Sequence, residues 1–326
     1  MLTPALIFLG GLATILFGAE WLLRGATRIA TRFGISPLLI GLTVVSVGTS
    51  TPELAVGLTA VAEQKGSLAV GNIAGTNILN ILLILGLSAA IRPLPTRLLS
   101  VRLDVPMMIV TAVGMLVMAL DGVLSRAEGA VMLAAAVLYT IAIVYLSRIE
   151  QVAIRRQFAH ALGPAAAPPA AGLGAGLIEG LQLVAGMVLT VLGAELLVGG
   201  AVQIARDFGV SEAFVGLTIV AIGTSAPELV TTLIATARND RDVAIGNLIG
   251  SSIYNVLCIL GLTVMAAPQP VAFSRDLLWF DLPVAALVPI VCLPVFRSDR
   301  MVSRREGLMF VAAYLVYLGW LLATRT

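Results

Sequence analysis

Apolar runs of some twenty residues, separated by short clusters of charge, follow one another along the whole chain. A bilayer core takes about 20 apolar residues per helix, and segmenting on that length predicts ten spans: 3–23, 37–62, 67–91, 103–120, 127–147, 174–204, 212–237, 243–267, 277–296 and 306–323. Lys and Arg test the count, because cytoplasmic connections are enriched in them. Every second connection, starting with the first, is rich: those five hold 15 of the 20 basic residues. The alternation predicts a ten-helix integral membrane protein with both termini outside the cytoplasm. The N-terminal run has no positive flank and continues into Glu20 and Arg24, so it reads as the first helix and not as a signal peptide.

Two spans break the apolar pattern with the same word. "GTSTPEL" covers Gly48 to Leu54, and "GTSAPEL" covers Gly223 to Leu229. A shift of 175 positions lays "GLTVVSVGTSTPEL" on "GLTIVAIGTSAPEL", with ten of fourteen residues identical. The same shift lays "GNIAGTNILNILLILGL" (71–87) on "GNLIGSSIYNVLCILGL" (246–262), and "FGAEWLLRGATRIATRFGIS" (17–36) on "LGAELLVGGAVQIARDFGVS" (192–211). Each unit holds five spans, an odd number, so the second enters the membrane from the opposite side. The fold expected is therefore an all-α polytopic membrane protein of two inverted five-helix repeats, the plan in which secondary transporters place a substrate site between the halves. Residues 1–147 form the first repeat, 148–173 a cytoplasmic linker and 174–326 the second.

The repeated word carries chemistry. Pro52 and Pro227 have no N–H to donate four residues back, so the carbonyls of Gly48 and Gly223 lose their helical partners and each helix is expected to break. Free carbonyls are tolerated at membrane depth only where they line a hydrated cavity. Thr49, Ser50, Thr224 and Ser225 add hydroxyls there, and Glu53 and Glu228 add carboxylates. On the next span of each repeat, Thr76 and Asn80 share one helical face, as do Ser251 and Asn255. Gly71 with Gly75, and Gly246 with Gly250, form small-residue pairs that admit a close neighbour. All the donors are hard oxygens, which suits Ca²⁺ or Na⁺ better than zinc or copper. Two carboxylates balance one Ca²⁺, and ions needing the same carboxylates would compete, which is a physical basis for antiport.

Composition agrees and excludes alternatives. The chain is 59% hydrophobic and 12% charged, with a net charge of +2 and no dense basic face, so nucleic acid is not a partner. Cys258 and Cys292 lie in apolar runs and read as packing residues. No activated nucleophile or His-rich metal site points to an enzyme, and no cofactor or obligate protein partner is implied. The linker, with Arg155, Arg156, the single histidine His160 and "GPAAAPPAAG", is too short and too poor in acids for a regulatory calcium domain.

These paired signatures resemble the cation/calcium exchanger superfamily, and most closely its prokaryotic sodium/calcium exchanger branch, over nearly the whole chain. The resemblance implies that Glu53 and Glu228 bind Ca²⁺ and Na⁺ alternately. It implies further ligands at Ser46, Thr49, Ser50 and Thr76 in one half and Ala221, Thr224, Ser225 and Ser251 in the other, with Ser46 and Ala221 acting through their carbonyls and Asn80 and Asn255 through their amides. It also implies that the first and sixth helices slide against the rest, in a prokaryotic inner membrane. This chain has neutral Asn255 where some relatives carry aspartate, which makes the site less negative and argues against potassium co-transport; Thr76 in place of the commoner serine, and Ser252 where the pattern has asparagine, leave the coupling ratio open. The expected function is Ca²⁺/Na⁺ antiport. H⁺/Ca²⁺ antiport by the same glutamates is the first alternative, and a cation channel, built on similar carboxylate rings, is the alternative from another class.

Other polar residues fall in the spans. Glu20 has Arg24 one turn on and is read as its salt-bridge partner. Its counterpart Glu195 has Gly199 there, which leaves gating or proton coupling as the functional readings. Asp104 and Asp281, each two residues before a proline, are read as helix caps, and Glu179 as favouring a helix dipole.

Overall fold

The computed structural model describes residues 2–33, 35–96, 100–162, 173–208, 221–298 and 300–325. The side chains of Arg155, Arg156, His160 and Ala221, and residues 212–220 of the seventh predicted span, lie outside the described residues. The first half comprises α1 (Leu2–Phe33), α2 (Pro37–Thr49), α3 (Thr51–Ala62), α4 (Gly66–Ile91), β1 (Leu94–Pro95), α5 (Val101–Asp121), β2 (Val123–Leu124) and α6 (Arg126–Leu162). The second comprises α7 (Leu173–Asp207), α8 (Ala221–Thr224), α9 (Ala226–Ala237), α10 (Arg241–Ala266), β3 (Val271–Ala272), α11 (Leu277–Arg297), β4 (Met301–Val302) and α12 (Arg304–Arg325). Among the described residues eight helices are long and apolar enough to cross a membrane, and the bent pair α2/α3 makes a ninth span. The chain is thus a multi-pass, mostly helical membrane protein.

Local sequence accounts for the element ends. Ser36 caps α2, its Oγ accepting from Leu39 N at 3.2 Å, and Pro37 supplies the helical φ at the first position. The break before Pro52 bends α3 by 42° from α2. α4 and α10 carry the same internal design at the same shift of 175: an α segment (Gly66–Leu79, Arg241–Tyr254), a π turn opening on Asn80 or Asn255, and a closing α segment (Gly86–Ile91, Gly261–Ala266). π turns of this kind mark functional segments of helices. α6 continues through residues 148–162, which the sequence suggested as the start of the linker, because "RIEQVAIRRQFAHAL" contains no Gly or Pro to stop it before Gly163.

The packing has a core and a clasp. α4 and α10 are 78% and 83% buried over their most apolar windows, whereas α12 is 17% buried, so the signature helices form the centre and the long apolar helices face outward. The clasp is α1 against α7. Gly11, Gly18 and Gly25 meet Leu197, Thr190 and Leu183, while Gly186, Gly193 and Gly200 meet Leu22, Ile15 and Phe8. The order runs backwards along the partner, so the two helices are antiparallel. A methyl added to Gly25 would lie 2.7 Å from Leu183 N, so only glycine allows this backbone approach. The glycines recur every seven residues and map onto each other under the 175 shift.

Two antiparallel ladders of two residues each qualify the all-α expectation. β1 pairs with β4 and β2 pairs with β3, so each ladder joins a connection of one half to a non-equivalent connection of the other. Gly122, with φ of 85°, makes the left-handed turn leading into β2.

Candidate functional site

Backbone geometry at the repeated word is nearly the same in both halves. Ser50 has φ −82° and ψ 13°, and Ser225 has φ −91° and ψ 10°; neither is helical, and each is followed by a helix with proline in its first turn. Pro52 and Pro227 thus start α3 and α9, which puts helix N-termini and their partial positive charge beside Glu53 and Glu228.

The fold brings these residues together across the halves. Ser50 Oγ donates to Glu228 Oε1 at 3.1 Å, and Ser225 Oγ donates to Glu53 Oε1 at 3.3 Å. Ser225 Oγ also lies 3.3 Å from Thr76 Oγ1, and the Thr49 hydroxyl lies beside Glu228. Glu53, Glu228, Ser50 and Ser225 are fully buried. A buried carboxylate is costly unless paired, yet among the described residues no Lys or Arg forms an ion pair with either glutamate. The second oxygen of each, Oε2, is buried without a hydrogen-bond partner among the described residues, as are Asn80 Oδ1, Asn255 Oδ1 and Ser251 Oγ. Two carboxylates and a set of neutral oxygens, with no cationic side chain, form an arrangement suited to a cation.

The remaining candidates divide. Ser46 turns its hydroxyl back to Leu42 O (2.7 Å) on its own helix, leaving its carbonyl, which accepts from Ser50 N at 3.1 Å and Thr49 Oγ1 at 3.3 Å. Thr224 is half-buried and lines a cavity of about 350 Å³ together with Pro52, Ala55, Val56 and Glu195. Glu195 is an exposed member of that lining. The backbone of Ala221 starts α8.

Some expectations are corrected. The Gly48 carbonyl is not left free by Pro52: Thr51 Oγ1 donates to it at 2.8 Å. Position 226 is alanine, so the Gly223 carbonyl receives no such hydroxyl. Asp104 and Asp281 are not caps. Each is the last residue of a π turn, Ser100–Asp104 or Leu277–Asp281, that runs on into helix without a side-chain cap bond, and each accepts a hydrogen bond from a tyrosine of another helix, Tyr139 at 3.1 Å and Tyr317 at 3.0 Å. Glu179 pairs with Arg32 of α1 at 2.7 Å, so a charge partner, not a helix dipole, explains it. Glu20 does pair with Arg24, at 2.5 Å, and also with Arg238 at the end of α9. Gly246 and Gly250 do admit a neighbour, α2 at Leu38 and Leu42; for Gly71 and Gly75, the repeat counterparts of Leu38 and Leu42, at positions 213 and 217, lie outside the described residues.

Other participants escaped the sequence reading. Asn247 joins α10 to both broken helices, accepting from Thr49 Oγ1 at 3.3 Å and donating to Thr232 Oγ1 at 3.0 Å. Asn77 donates to Ser252 O at 2.9 Å and accepts from Asn255 Nδ2 at 3.2 Å. Asn247 was visible as the "GN" shared by both repeats, and the clasp as glycines at a spacing of seven. Asn77 was visible only through the family pattern, which puts asparagine at the equivalent position that Ser252 holds in the second repeat.

Two buried carboxylates at the breaks of membrane helices, ringed by neutral oxygens, are an arrangement suited to cation transport. The chain belongs to the sodium/calcium exchanger family: a family model described as "Sodium/calcium exchanger protein" matches it twice, over residues 3–145 and again over 179–323. It is similar to the inner membrane protein YrbG of Escherichia coli (strain K12), 36% identical over 98% of this chain and 97% of that one, and to the putative antiporter CaxA of Alkalimonas amylolytica, 36% identical over 97% and 98%. Sodium/calcium exchanger MaX1 of Methanosarcina acetivorans is 30% identical over 97% and 98%. Among solved structures, that of the sodium-calcium exchanger NCX_Mj soaked with 10 mM Na⁺ and zero Ca²⁺ superposes with a TM-score of 0.81 at 27% identity, covering 99% of each chain. The protein is therefore a cation/Ca²⁺ exchange transporter, and its family is not one of enzymes.

Proposed function

We propose that the chain is an antiporter that exchanges Ca²⁺ for Na⁺ by alternating access to one site shared by its two halves. The observation that carries this reading is the reciprocal pair Ser50–Glu228 and Ser225–Glu53, in which each half supplies the hydroxyl that holds the other half's carboxylate. Glu53 and Glu228 supply the charge for one Ca²⁺. Ser50, Ser225, Thr49, Thr76, Thr224, Ser251, Asn80 and Asn255 supply neutral oxygens, with the carbonyls of Ser46 and Ala221. Ca²⁺ takes 6 to 8 oxygens, and Na⁺ ions taking the same carboxylates displace it.

Ten helices in two inverted repeats, 1–147 and 174–326 around a cytoplasmic linker at 148–173, is the architecture we assign. Three observations support it: equivalent helices α1 and α7 run antiparallel, each ladder joins non-equivalent connections, and the family model matches each half separately. A glycine-lined antiparallel clasp also suits two helices that slide together past the core. The alternation of basic residues supports both termini outside the cytoplasm of a prokaryotic inner membrane.

Ca²⁺ uptake into proteoliposomes, driven by an outward Na⁺ gradient or by an imposed pH gradient, tests the reading. Flux with the Na⁺ gradient alone is expected; flux with the pH gradient alone makes the protein an H⁺/Ca²⁺ antiporter, and flux without any counter-gradient makes it a channel. Glu53→Gln and Glu228→Gln are each expected to abolish exchange, and wild-type exchange in either sinks the shared site.

A further inference from the structure

Asn80 and Asn255 are equivalent under the repeat, fully buried, and each opens a π turn, yet their surroundings differ. Asn77 Nδ2 donates to the backbone oxygen of Ser252 at 2.9 Å. A backbone carbonyl can only accept, so the amide of Asn77 has one permitted orientation: its NH₂ faces Ser252 and its Oδ1 faces Asn255. Asn255 must then offer its own NH₂, and does so at 3.2 Å. Its Oδ1 is thereby committed to the opposite side, where it is buried without a hydrogen-bond partner among the described residues. Among the described residues Asn80 has no equivalent lock. The residue corresponding to Asn77 is Ser252, whose hydroxyl donates to Leu248 O in its own helix at 2.9 Å, and neither amide atom of Asn80 has a partner among the described residues.

We propose that Asn77 is a positioning and specificity-determining residue: by a hydrogen-bond chain of fixed polarity, it holds Asn255 with its carbonyl oxygen presented to the cation and makes position 255 selective for a neutral amide. The inference rests on the reading of this pocket as a Ca²⁺ and Na⁺ site. Two consequences follow from the polarity. Without Asn77, the amide of Asn255 rotates freely and presents its NH₂ to the cation part of the time, which weakens binding but leaves the carboxylates in place. An aspartate at position 255 would set one acceptor oxygen against another, Oδ1 of Asn77, in a buried setting where unmatched polar groups are most costly. Removing the Asn77 acceptor relieves that conflict. A residue that merely fills space gives no such rescue, because a second truncation or charge makes a packing defect worse.

The test is Na⁺-driven Ca²⁺ uptake by the full-length chain in proteoliposomes, with KM and maximal rate measured for wild type, Asn77→Ala, Asn255→Asp and the double variant. A net hydrogen bond to a buried group is worth about a factor of ten in affinity. Asn77→Ala is therefore expected to raise the Ca²⁺ KM roughly tenfold with the maximal rate changed by less than about twofold. Asn255→Asp alone is expected to lose more than about tenfold in rate, and the double variant to regain several-fold over Asn255→Asp. A double variant no better than Asn255→Asp, or an unchanged Ca²⁺ KM in Asn77→Ala, overturns the proposal. Should Asn77→Ala fail to fold, Asn77→Cys keeps the size with a poorer acceptor and carries the same expectations. Wild-type protein that takes up no Ca²⁺ under either gradient overturns the functional reading itself, an outcome distinct from wild-type uptake without rescue.

Discussion

Ser50 Oγ donates to Glu228 Oε1 at 3.1 Å, and the repeat counterparts of these two residues, Ser225 and Glu53, are bonded in the reverse sense at 3.3 Å. Neither half can orient its own carboxylate by this means, so these two hydrogen bonds exist only when both halves are folded together.

Ser50→Ala and Ser225→Ala each remove one hydrogen bond to a buried carboxylate, worth about 1.5–3 kcal/mol when the acceptor is charged. Each is expected to raise the Ca²⁺ KM by roughly one to two orders of magnitude. Flux measurements on both variants check it, and a large effect in one with none in the other would show that the reciprocity is geometric only.

The clasp predicts a contrast among glycines. Gly25→Ala drives a methyl into the Leu183 backbone, and overpacking of this kind costs about 1–3 kcal/mol. Gly10→Ala, on the exposed side of α1 with nothing within 4 Å of the added methyl among the described residues, is expected to be neutral. Thermal denaturation in detergent distinguishes them.

Arg238 ties the end of α9 to Glu20 of α1, while the residue equivalent to Arg238 in the first half is Glu63, which pairs with Lys65. The counterpart of Glu20 is Glu195, so the repeat offers two carboxylates at the equivalent positions and cannot build the same tie there. Both side chains are partly exposed, so a double-mutant cycle of Glu20→Gln and Arg238→Gln is expected to give a coupling of about 0.2–1 kcal/mol in stability. Coupling indistinguishable from zero would mean that Arg24 alone neutralises Glu20.

Tyr139→Phe and Tyr317→Phe each strip a donor from a buried aspartate that keeps another partner. A loss of about 1 kcal/mol is expected for each. Equal losses would identify the tyrosine–aspartate bond as a feature common to both halves.

Much of the architecture was legible because it is written in periodicity. Spans follow from the length of apolar runs, and the broken helices follow from Pro52 and Pro227, whose missing N–H acts on the local backbone whatever surrounds it. Asp104 and Asp281 were misread for the complementary reason: an aspartate shortly before a proline looks like a cap locally, but Tyr139 and Tyr317, contributed by other helices, hold it within continuous helix. Thr51 shows the same limit at shorter range, since its hydroxyl occupies the carbonyl that Pro52 was expected to free.

The sequence by itself determined that a word of hydroxyl, proline and carboxylate residues occurs twice at matched spacing within apolar spans, because residue type, spacing and self-similarity are properties of the chain alone. Only the tertiary structure decided who holds whom: that Ser50 serves Glu228 and not the neighbouring Glu53, that Arg238 reaches Glu20, and that Asn77 turns Asn255 while Asn80 is left unlocked. Those are contacts between segments some 150 to 220 residues apart in sequence, and the direction of a hydrogen bond is set by which donor and acceptor the fold places face to face.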